Sequence, residues 1–290
     1  MLKTLRYFMF SFVTAFFAWA VLYMFLVYVV HPKTVSTVTP AGNTPLEEPY
    51  TPLPRDSITV LFMASPQRTA APGAYLIAHF NPVAGHVALA ALPANTAIIN
   101  GGQTESLSEI YNYGGALYTQ ELIAKTLGIS IDRYVRVSAE AFLGAMRAIG
   151  SMEYNLPETL NITQDGVSLE LKQGIQLLDG QRMLQILSYP YQSAEAQTSA
   201  VSNLAAELIT QRRDIALSTM AEKVFTSVIN KIDSDISYND YFERREAANY
   251  FALLNGSVTH QIALVGKEEN ELYHLSDTFI AELCSYTRLN

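Results

Sequence analysis

The pattern of apolar and polar positions divides the chain into three parts, and the first part is a long uncharged run. Residues 7–30 carry no charged side chain. This run of about 24 residues exceeds the ~20 that a helix needs to cross the hydrocarbon core of a bilayer. A cleavable signal peptide also begins with basic residues, but its apolar region covers only ~7–15 residues. The pattern therefore favours a retained transmembrane helix over 7–30, with cleavage as the alternative.

Basic residues set the expected orientation of this helix. Lys3 and Arg6 lie on its short N-terminal side, and Lys33 follows it. By the positive-inside rule, residues 1–6 form a cytoplasmic tip and the rest of the chain lies on the other side, although Lys33 weakens the asymmetry. The bilayer itself is thus an expected partner.

The second part, 31–57, is rich in proline. Five prolines lie between Thr34 and Ser57, and the segment has no hydrophobic period. Proline at that density removes backbone donors and biases the chain towards extended conformations. We expect an extracytoplasmic linker here.

The third part, 58–290, alternates short β-rich apolar runs with segments of helical period. The predicted strands are Ile58–Met63, Ala74–Phe80, Val87–Leu92, Tyr134–Val137, Met152–Leu156, Val167–Leu171, Val258–Val265 and Glu271–His274. The predicted helices are Leu117–Leu127, Ala139–Ile149, Asp179–Leu187, Ser193–Ile232 as one or two helices, Tyr238–Leu254 and Asp277–Tyr286. Met152–Leu156 and Val167–Leu171 are expected to pair as a hairpin. Strands and helices that alternate on this scale predict an α/β layered domain.

Composition narrows the classes of function. The formal net charge is −8, which argues against a nucleic-acid partner, because such binders gather Lys and Arg to neutralise phosphate. Cys284 is the only cysteine, so neither an intrachain disulfide nor a cysteine-based metal cluster can form. The sequence contains no Walker loop, no serine nucleophile elbow and no His-Glu-x-x-His zinc motif. His79 lies among apolar neighbours on a predicted strand, which favours a core histidine over a ligand.

A series of short blocks runs in order through the domain. The blocks are Leu61-Phe-Met-Ala64, Phe80-Asn81-Pro82, Ala91-Leu92-Pro93-Ala94-Asn95-Thr96, Tyr111-Asn-Tyr-Gly-Gly115, Leu127-Gly-Ile-Ser-Ile-Asp-Arg-Tyr-Val-Arg-Val137, Ala148-Ile-Gly150 and Leu177-Leu-Asp-Gly-Gln181. Together with the N-terminal anchor, their order and spacing resemble the LytR-CpsA-Psr family of bacterial cell-envelope proteins. The resemblance covers about 58–187 and continues more loosely to the C-terminus.

This resemblance implies a fold, an activity and a location. Members of the family move a glycopolymer, such as teichoic acid or capsule, from a polyprenyl-pyrophosphate carrier to peptidoglycan. The implied fold is a single layered domain with a central mixed β-sheet flanked by helices, a lipid-holding apolar channel and a Mg²⁺-supported pyrophosphate site. The implied location is the bacterial cell membrane, with one membrane span and the C-terminal domain, 58–290, outside the cell.

The chain departs from the family where phosphate and metal would be held. Uncharged residues stand where the family has charged ones, and Arg68 is the only basic residue left near the presumed site. Arg68 is therefore the candidate phosphate-binding residue. The positions that lack the family's charge are Gly73 and Asn95 for aspartates, Ala94 for an arginine, Ser106 for a lysine, and Ser188 and Pro190 for a pair of arginines.

The loss of several charges at once removes the means of catalysis, since a single oxyanion donor is typically worth about 3 kcal/mol. We therefore expect a degenerate, non-catalytic member without a metal ligand set or cofactor of its own. It would bind a polyprenyl-linked glycan precursor or an active paralogue of the family. The alternative is a divergent phosphotransferase that recruits Arg68, Arg133 or Arg136. Regulation of transcription, suggested by the historical name of the family, is disfavoured by the acidic charge and the exported body.

Overall fold

A six-stranded mixed sheet is the centre of the fold in the structure, a computed structural model that describes residues 50–164 and 167–287. The strands are β1 (Ile58–Ser65), β2 (Ala74–Asn81), β3 (His86–Pro93), β4 (Ala97–Asn100), β5 (Gln103–Ser106), β6 (Arg133–Ser138), β7 (Met152–Leu156), β8 (Leu160–Gln164), β9 (Val167–Leu171), β10 (Gly174–Leu178), β11 (Asp233–Ser234), β12 (Thr259–Ile262), β13 (Gly266–Glu269) and β14 (Leu272–Leu275). The order in the main sheet is β11-β6-β1-β2-β3-β12. The pairs β1–β6 and β3–β12 are parallel, whereas β1–β2, β2–β3 and β6–β11 are antiparallel.

Helices cover both faces of this sheet. They are α1 (Leu107–Leu127), α2 (Ala139–Ile149), α3 (Gly180–Leu187), α4 (Ala194–Arg212), α5 (Ala221–Ile229), α6 (Tyr238–Ala252) and α7 (Asp277–Thr287), with short 3-10 turns at Pro54–Asp56 and Arg213–Leu217. The predicted α/β class with a central mixed sheet flanked by helices is confirmed. The expected helical stretch after Ser193 consists of two consecutive helices, α4 and α5, separated by the second 3-10 turn.

Alternation along the strands gives the sheet two apolar faces. On one face, Leu61, Met63 and Tyr75 belong to a buried cluster that also contains residues of α1 and α7. On the other face, Val87 and Leu89 form a cluster with residues of α4 and α6. Full burial of one such side chain stabilises the fold by about 1.5–3 kcal/mol, so these two layers hold the strands and their ends in place.

A third buried cluster is built on the strands β7 to β10, which we call the arm. The pairing of these strands differs from the predicted one. The strand β7 pairs with β10, whereas β9 pairs with β8. The expected hairpin of Met152–Leu156 with Val167–Leu171 is therefore wrong, because β8 and β9 form their own hairpin between β7 and its true partner. Buried side chains from the arm pack with Met183 and Ile186 of α3 and Leu204 of α4.

The helix α1 begins ten residues earlier than the predicted Leu117. Ser106 caps it with a capping box, in which the Glu109 carboxylate accepts hydrogen bonds from the Ser106 backbone and hydroxyl. Gly115 interrupts the helix with φ 72° and ψ −169°, a region of backbone conformation that is essentially restricted to glycine. The Tyr-Gly-Gly block thus marks a break inside one long helical segment.

The expected membrane anchor cannot be compared with this fold. The predicted cytoplasmic tip 1–6, the transmembrane helix 7–30 and the linker up to residue 49 lie outside the described residues. In the part of the chain that the structure describes, no helix is both long and apolar enough to span a bilayer. The described residues, 50–164 and 167–287, belong to one compact unit.

Candidate functional site

One edge of the main sheet gathers most of the positions that the sequence singles out. Ser65, the last residue of β1, lies opposite Ser138, the last residue of β6. On the other side of β1, Ala74 begins β2 and pairs with both Ala64 of β1 and Pro93 of β3. The ends of β1, β3 and β6 and the start of β2 therefore meet, and we call this the candidate edge.

The loop 66–73 between β1 and β2 carries Arg68 and Gly73 at the candidate edge. Gly73 donates its backbone N–H to the Ala64 carbonyl at 2.8 Å, which closes the loop. A Cβ added at Gly73 would meet no other atom within 4 Å, so the position has room for the family's aspartate but lacks it. The Arg68 side chain is exposed.

Arg136 on β6, which the transferase alternative would recruit, is a second guanidinium group at this edge beside Arg68. It donates hydrogen bonds to the backbone carbonyls of Arg68 and Ala70. Its carbon Cζ lies 5.4 Å from the ring centroid of Tyr111 on α1. Its Nη1 lies 3.7 Å from the carboxylate of Asp233. The Arg136 side chain is only 12% exposed. It therefore stabilises loop 66–73 through these hydrogen bonds, and a ligand can hardly reach its guanidinium group.

The burial of Tyr111 agrees with this packed arrangement. Burial raises the pKa of the Tyr111 phenol, while Arg136 lowers it and Asp233 raises it. Burial also raises the pKa of Tyr75, with a further contribution from Tyr111. Tyr111 thus lies near both Tyr75 and Arg136, with the largely exposed Asp233 carboxylate beside the guanidinium group.

Arg133 lies on the opposite face of the sheet, because positions 133 and 136 have opposite parity along β6. Its Nε and Nη2 donate to the two carboxylate oxygens of Asp240 at 3.1 and 2.9 Å. Asp240 also accepts hydrogen bonds from the backbone and hydroxyl of Ser237. Burial raises the pKa of Asp240, but the hydrogen bonds from Arg133 and Ser237 outweigh it and lower the pKa to about 2. Arg133 is therefore bound to a structural carboxylate.

Asn95 follows β3 at the candidate edge and holds the hairpin of β13 and β14. Its amide nitrogen donates to the Glu271 carbonyl at 3.0 Å and to the Glu268 carboxylate at 3.4 Å. Its own backbone carbonyl accepts the Tyr273 N–H at 2.9 Å. Ala94 is half-buried against the core. These two residues therefore have structural partners where the family has an arginine and an aspartate.

We expect Asn95→Asp, which restores the family's carboxylate, to lower the free energy of unfolding by about 1–2 kcal/mol. The substitution removes the amide donor from the Glu271 carbonyl and places a second negative charge beside Glu268. Urea unfolding with and without Mg²⁺ measures the effect, and Asn112→Asp at an exposed position of α1 is the matched control. Stabilisation of Asn95→Asp by added Mg²⁺ would contradict the structural role of Asn95.

The remaining predicted positions also have local structural roles. Ser106 is buried as the N-cap of α1, and the Leu107 N–H joins this turn to the Thr96 carbonyl at 3.1 Å. Ser188 ends α3, where its N–H donates to the Leu184 carbonyl at 2.9 Å. Pro190 is exposed in the connection to α4. For Ser188 and Pro190, no hydrogen bond within 50–164 and 167–287 reaches the candidate edge.

The described side chains do not fit a magnesium ion at this edge. Among them, no group of three or more His, Cys, Asp and Glu residues could hold a metal ion. Asp233 lies beside Arg136, and Glu195 accepts a hydrogen bond from the Tyr273 hydroxyl at 2.7 Å. Each of these carboxylates is occupied by a protein partner, so the edge offers no cluster of free oxygen ligands for a hard cation.

His79 is buried in the core, as its apolar surroundings predicted. Its Nδ1 lies 2.9 Å from the hydroxyl of Thr59, whereas its Nε2 has no hydrogen-bond partner in the described part of the chain. Burial, followed by the nearby His86, lowers the pKa of His79, with Asp132 acting in the opposite sense. The histidine is therefore neutral at pH 7 and belongs to the packing of the sheet.

Sequence reasoning missed Tyr111 and Asp233 as neighbours of Arg136. Tyr111 stands in the Tyr-x-Tyr-Gly-Gly block, which was a usable signal for a position near the edge. Asp233 belongs to the two-residue strand β11, and no local pattern marks so short an element. Its pairing with β6 joins residues almost a hundred positions apart.

Comparison with known sequences identifies the family of this chain. A sequence profile described as the LytR_cpsA_psr family matches residues 27–273. An uncharacterised protein of Staphylococcus aureus (strain NCTC 8325 / PS 47) is 27% identical over 117 residues, which are 39% of this chain and 29% of that protein. The alignment thus spans less than a third of the length of this relative.

Comparison with solved structures shows the same fold at low sequence identity. A crystal structure from Eubacterium siraeum has a TM-score of 0.75 and 19% identity, and the alignment covers 84% of this chain and 96% of that one. TagV of Bacillus subtilis has a TM-score of 0.67 and 15% identity, and the alignment covers 80% of this chain and 97% of that one. The structure of TagT bound to LIIa-WTA has a TM-score of 0.60 and 16% identity, and the alignment covers 81% of this chain and 92% of that one. The family profile covers most of the sequence and the fold agrees with it, so this chain belongs to the LytR_cpsA_psr family.

Proposed function

We propose that this protein is a non-catalytic family member that is anchored in the bacterial cell membrane and exposes its domain outside the cell. There it binds a polyprenyl-linked wall-polymer precursor or an active member of the same family. The proposal rests on one observation: Arg133 and Arg136 have structural roles in the fold. Both guanidinium groups are bound to protein acceptors, and neither is free to receive a diphosphate.

The charge balance at the candidate edge supports this proposal. The family's arginine and aspartates are replaced by Ala94, Asn95 and Gly73. Arg136 is shielded by loop 66–73 and Tyr111, which leaves the exposed Arg68 as the cation that a ligand could reach there. A departing phosphate needs several preorganised cationic donors in the transition state, and one exposed arginine does not supply them.

The binding part of the proposal is supported by a neighbour of the same fold. The solved structure of TagT is described as bound to LIIa-WTA, and retention of the scaffold in this chain is compatible with retention of a polymer or lipid ligand.

The alternative is a divergent transferase. In that reaction, an acceptor hydroxyl of peptidoglycan would attack the phosphorus atom next to the glycopolymer. The P–O bond to the carrier would break, the hydroxyl proton would pass to a base or water, and polyprenyl phosphate would leave.

The proposal predicts that the full chain binds polyprenyl lipid without help from Mg²⁺. Titration of the detergent-solubilised chain with a polyprenyl pyrophosphate and with the matching polyprenol should give equal affinities, because the edge lacks the charges that would recognise the diphosphate. The same preparation, incubated with a lipid-linked glycopolymer and peptidoglycan, should show no transfer above a protein-free control. A transfer-competent family member serves as the positive control.

Variants of the two edge arginines separate the proposal from the alternative. Polymer transfer by the wild-type chain that disappears in Arg68→Ala or Arg136→Gln would establish the transferase. A strong Mg²⁺-dependent preference for the pyrophosphate over the alcohol would likewise overturn the non-catalytic proposal, even before any product is detected.

A further inference from the structure

Four aromatic rings lie together where the helices α5 and α6 meet. The ring centroid of Phe225 on α5 lies 4.6 Å from that of Tyr241 and 6.4 Å from that of Tyr238, both on α6. The centroid of Tyr238 is in turn 5.9 Å from that of Tyr241 and 6.5 Å from that of Phe242. We call these four residues the aromatic patch. Within 50–164 and 167–287, the other ring contacts link no more than three side chains.

Two members of the aromatic patch face solvent. Tyr238 is 51% and Phe242 is 55% exposed, and residues four positions apart are neighbours on a helix surface. Phe225 and Tyr241 are half-buried. The helix α5 has no buried residue, so the fold leaves this side of the two helices uncovered. Single exposed apolar side chains are normal, but a contiguous group of them marks an interaction surface.

The carboxylates beside the aromatic patch have partners within the protein. They are those of Glu222, Glu243 and Glu246, which lie 2.8, 3.6 and 3.3 Å from the Tyr238 hydroxyl, the Arg244 guanidinium and the Arg245 guanidinium, respectively. The Cζ of Arg245 also lies 5.4 Å from the ring centroid of Phe242. Because these charges are matched locally, the rings themselves are the feature that a partner would recognise.

The described chain begins on the same helix. The ring centroid of Tyr50 lies 6.3 Å from that of Tyr250 on α6, and the 3-10 turn at Pro54–Asp56 also packs on this helix. Tyr250 follows Phe242 by eight residues, which correspond to about 12 Å along the helix and about 80° around its axis. The preceding segment, 31–49, extends over at most about 65 Å. A bilayer that holds the apolar run 7–30 is therefore within reach of the aromatic patch.

We propose that the aromatic patch inserts into the headgroup–acyl boundary of the bilayer that holds the N-terminal anchor. This inference rests on the anchoring part of the proposed function. Aromatic side chains favour this boundary because an apolar ring enters the acyl region while a hydroxyl group stays among the hydrated headgroups. The contact needs little affinity of its own, since the anchor makes it intramolecular. Because the rings carry the contact, vesicles of neutral phosphatidylcholine suffice for it.

The test uses the full chain reconstituted in phosphatidylcholine vesicles, with tryptophan fluorescence as the readout. Trp19 is the only tryptophan of the sequence, so Trp19→Phe gives a background without tryptophan. In this background, Phe242→Trp places a reporter in the aromatic patch, and Ile175→Trp places one at an exposed position of β10. An interfacial helix lies about 5–10 Å into the headgroup–acyl boundary, so bromine at the top of the acyl chains should quench the Phe242→Trp reporter about twofold and the Ile175→Trp reporter hardly at all.

A second substitution shows whether the rings act together. Tyr238→Gln, added to the Phe242→Trp reporter, should weaken its quenching by bromine because a neighbouring ring is lost from the contact. Leu177→Gln, at an exposed apolar position of β10, is the matched control and should leave the quenching unchanged. Equal quenching with either addition would contradict the role of the patch. Circular dichroism and thermal unfolding confirm that all variants are folded.

Flotation of the same vesicles separates this inference from the proposed anchor. Chains that float while the Phe242→Trp reporter stays unquenched would overturn the insertion of the aromatic patch and leave the anchor intact. Chains that stay in the aqueous fraction would disprove both. Equal quenching of the Phe242→Trp and Ile175→Trp reporters would overturn the inference, because the domain would then contact the bilayer without a preferred face. An emission shift that grows with the number of chains per vesicle, without quenching by bromine, would make a second copy of the chain the occupant and would also overturn it.

Discussion

Asp240→Ala should lower the free energy of unfolding by about 3 kcal/mol, as measured by urea unfolding near pH 7. The substitution leaves the Arg133 guanidinium without its bidentate partner, and removal of one member of a buried ion pair costs about 3–5 kcal/mol. We expect the lower end of that range because the Arg133 side chain is 36% exposed and regains water. Loss of the capping interaction with Ser237 at the start of α6 adds to the effect.

A solvent-exposed ion pair on the same helix is the matched control for Asp240. Arg245 and Glu246 lie 3.3 Å apart with side chains 48% and 55% exposed. Glu246→Ala should cost no more than about 0.5 kcal/mol, because exposed pairs contribute little. Similar losses in the free energy of unfolding for Asp240→Ala and Glu246→Ala would show that the ion pair between β6 and α6 stabilises the fold no more than an exposed pair does.

The difference in unfolding free energy between the wild-type chain and Asp240→Ala should depend on pH, because the pKa of Asp240 is lowered in the folded state. Its folded pKa of about 2 lies below the ordinary value of 3.8. Its contribution to stability is therefore present above pH 3.8 and is lost as the pH falls towards 2. The stability gap between the wild-type chain and Asp240→Ala should accordingly narrow over that interval, while the gap between wild type and Glu246→Ala should change less.

The main sheet was predictable where apolar runs are bounded by turn residues. The strands β1, β2 and β3 match their predicted positions because Asn-Pro and Gly residues punctuate them. The hairpin of β4 and β5 was missed, although Gly101-Gly102, the two-residue loop between the paired Asn100 and Gln103, is a hairpin signal. The first half of α1 was missed for a different reason. Its Tyr-Gly-Gly block looks like a loop, and only the capping box at Ser106 and the buried Leu107 and Ile110 reveal the helix.

Pairings between distant strands limited the prediction of the arm and of the candidate edge. Local pattern indicated strands at β7 and β9, but it carries no information on partners, and the inserted hairpin of β8 and β9 changed the pairing. Parity along β6 places Arg133 and Arg136 on opposite faces, so that part could be inferred from the sequence. Their acceptors could not, because Asp240 and loop 66–73 are brought to β6 by long-range packing. The missing charges at Gly73, Ala94 and Asn95 were visible from the sequence, whereas the structural roles of Asn95 and Arg136 required the fold.

Tyr75→Ala should be more damaging than Asp240→Ala, with a loss of about 4 kcal/mol in the free energy of unfolding. Tyr75 is the second residue of β2, directly below the candidate edge, and its side chain is fully buried between the sheet and α1. Truncation removes a large apolar surface and leaves a cavity in the buried cluster that contains Met63 and Ile110. Tyr75→Phe should cost less than about 1 kcal/mol, since the hydroxyl lies at a long 3.4 Å from the Leu107 carbonyl.

The same pair of variants tests whether an apolar channel opens at this place. If the space beneath the edge is packed, Tyr75→Ala creates a new dry cavity, and a small apolar probe such as benzene should raise the unfolding temperature of this variant alone. If a lipid-holding channel already passes Tyr75, truncation only widens it. The loss would then fall well below about 2 kcal/mol, and the probe would stabilise wild type and variant alike. The first result would direct the search for a polyprenyl site away from the α1 face, and the second would place the channel beside Arg68 and Tyr111.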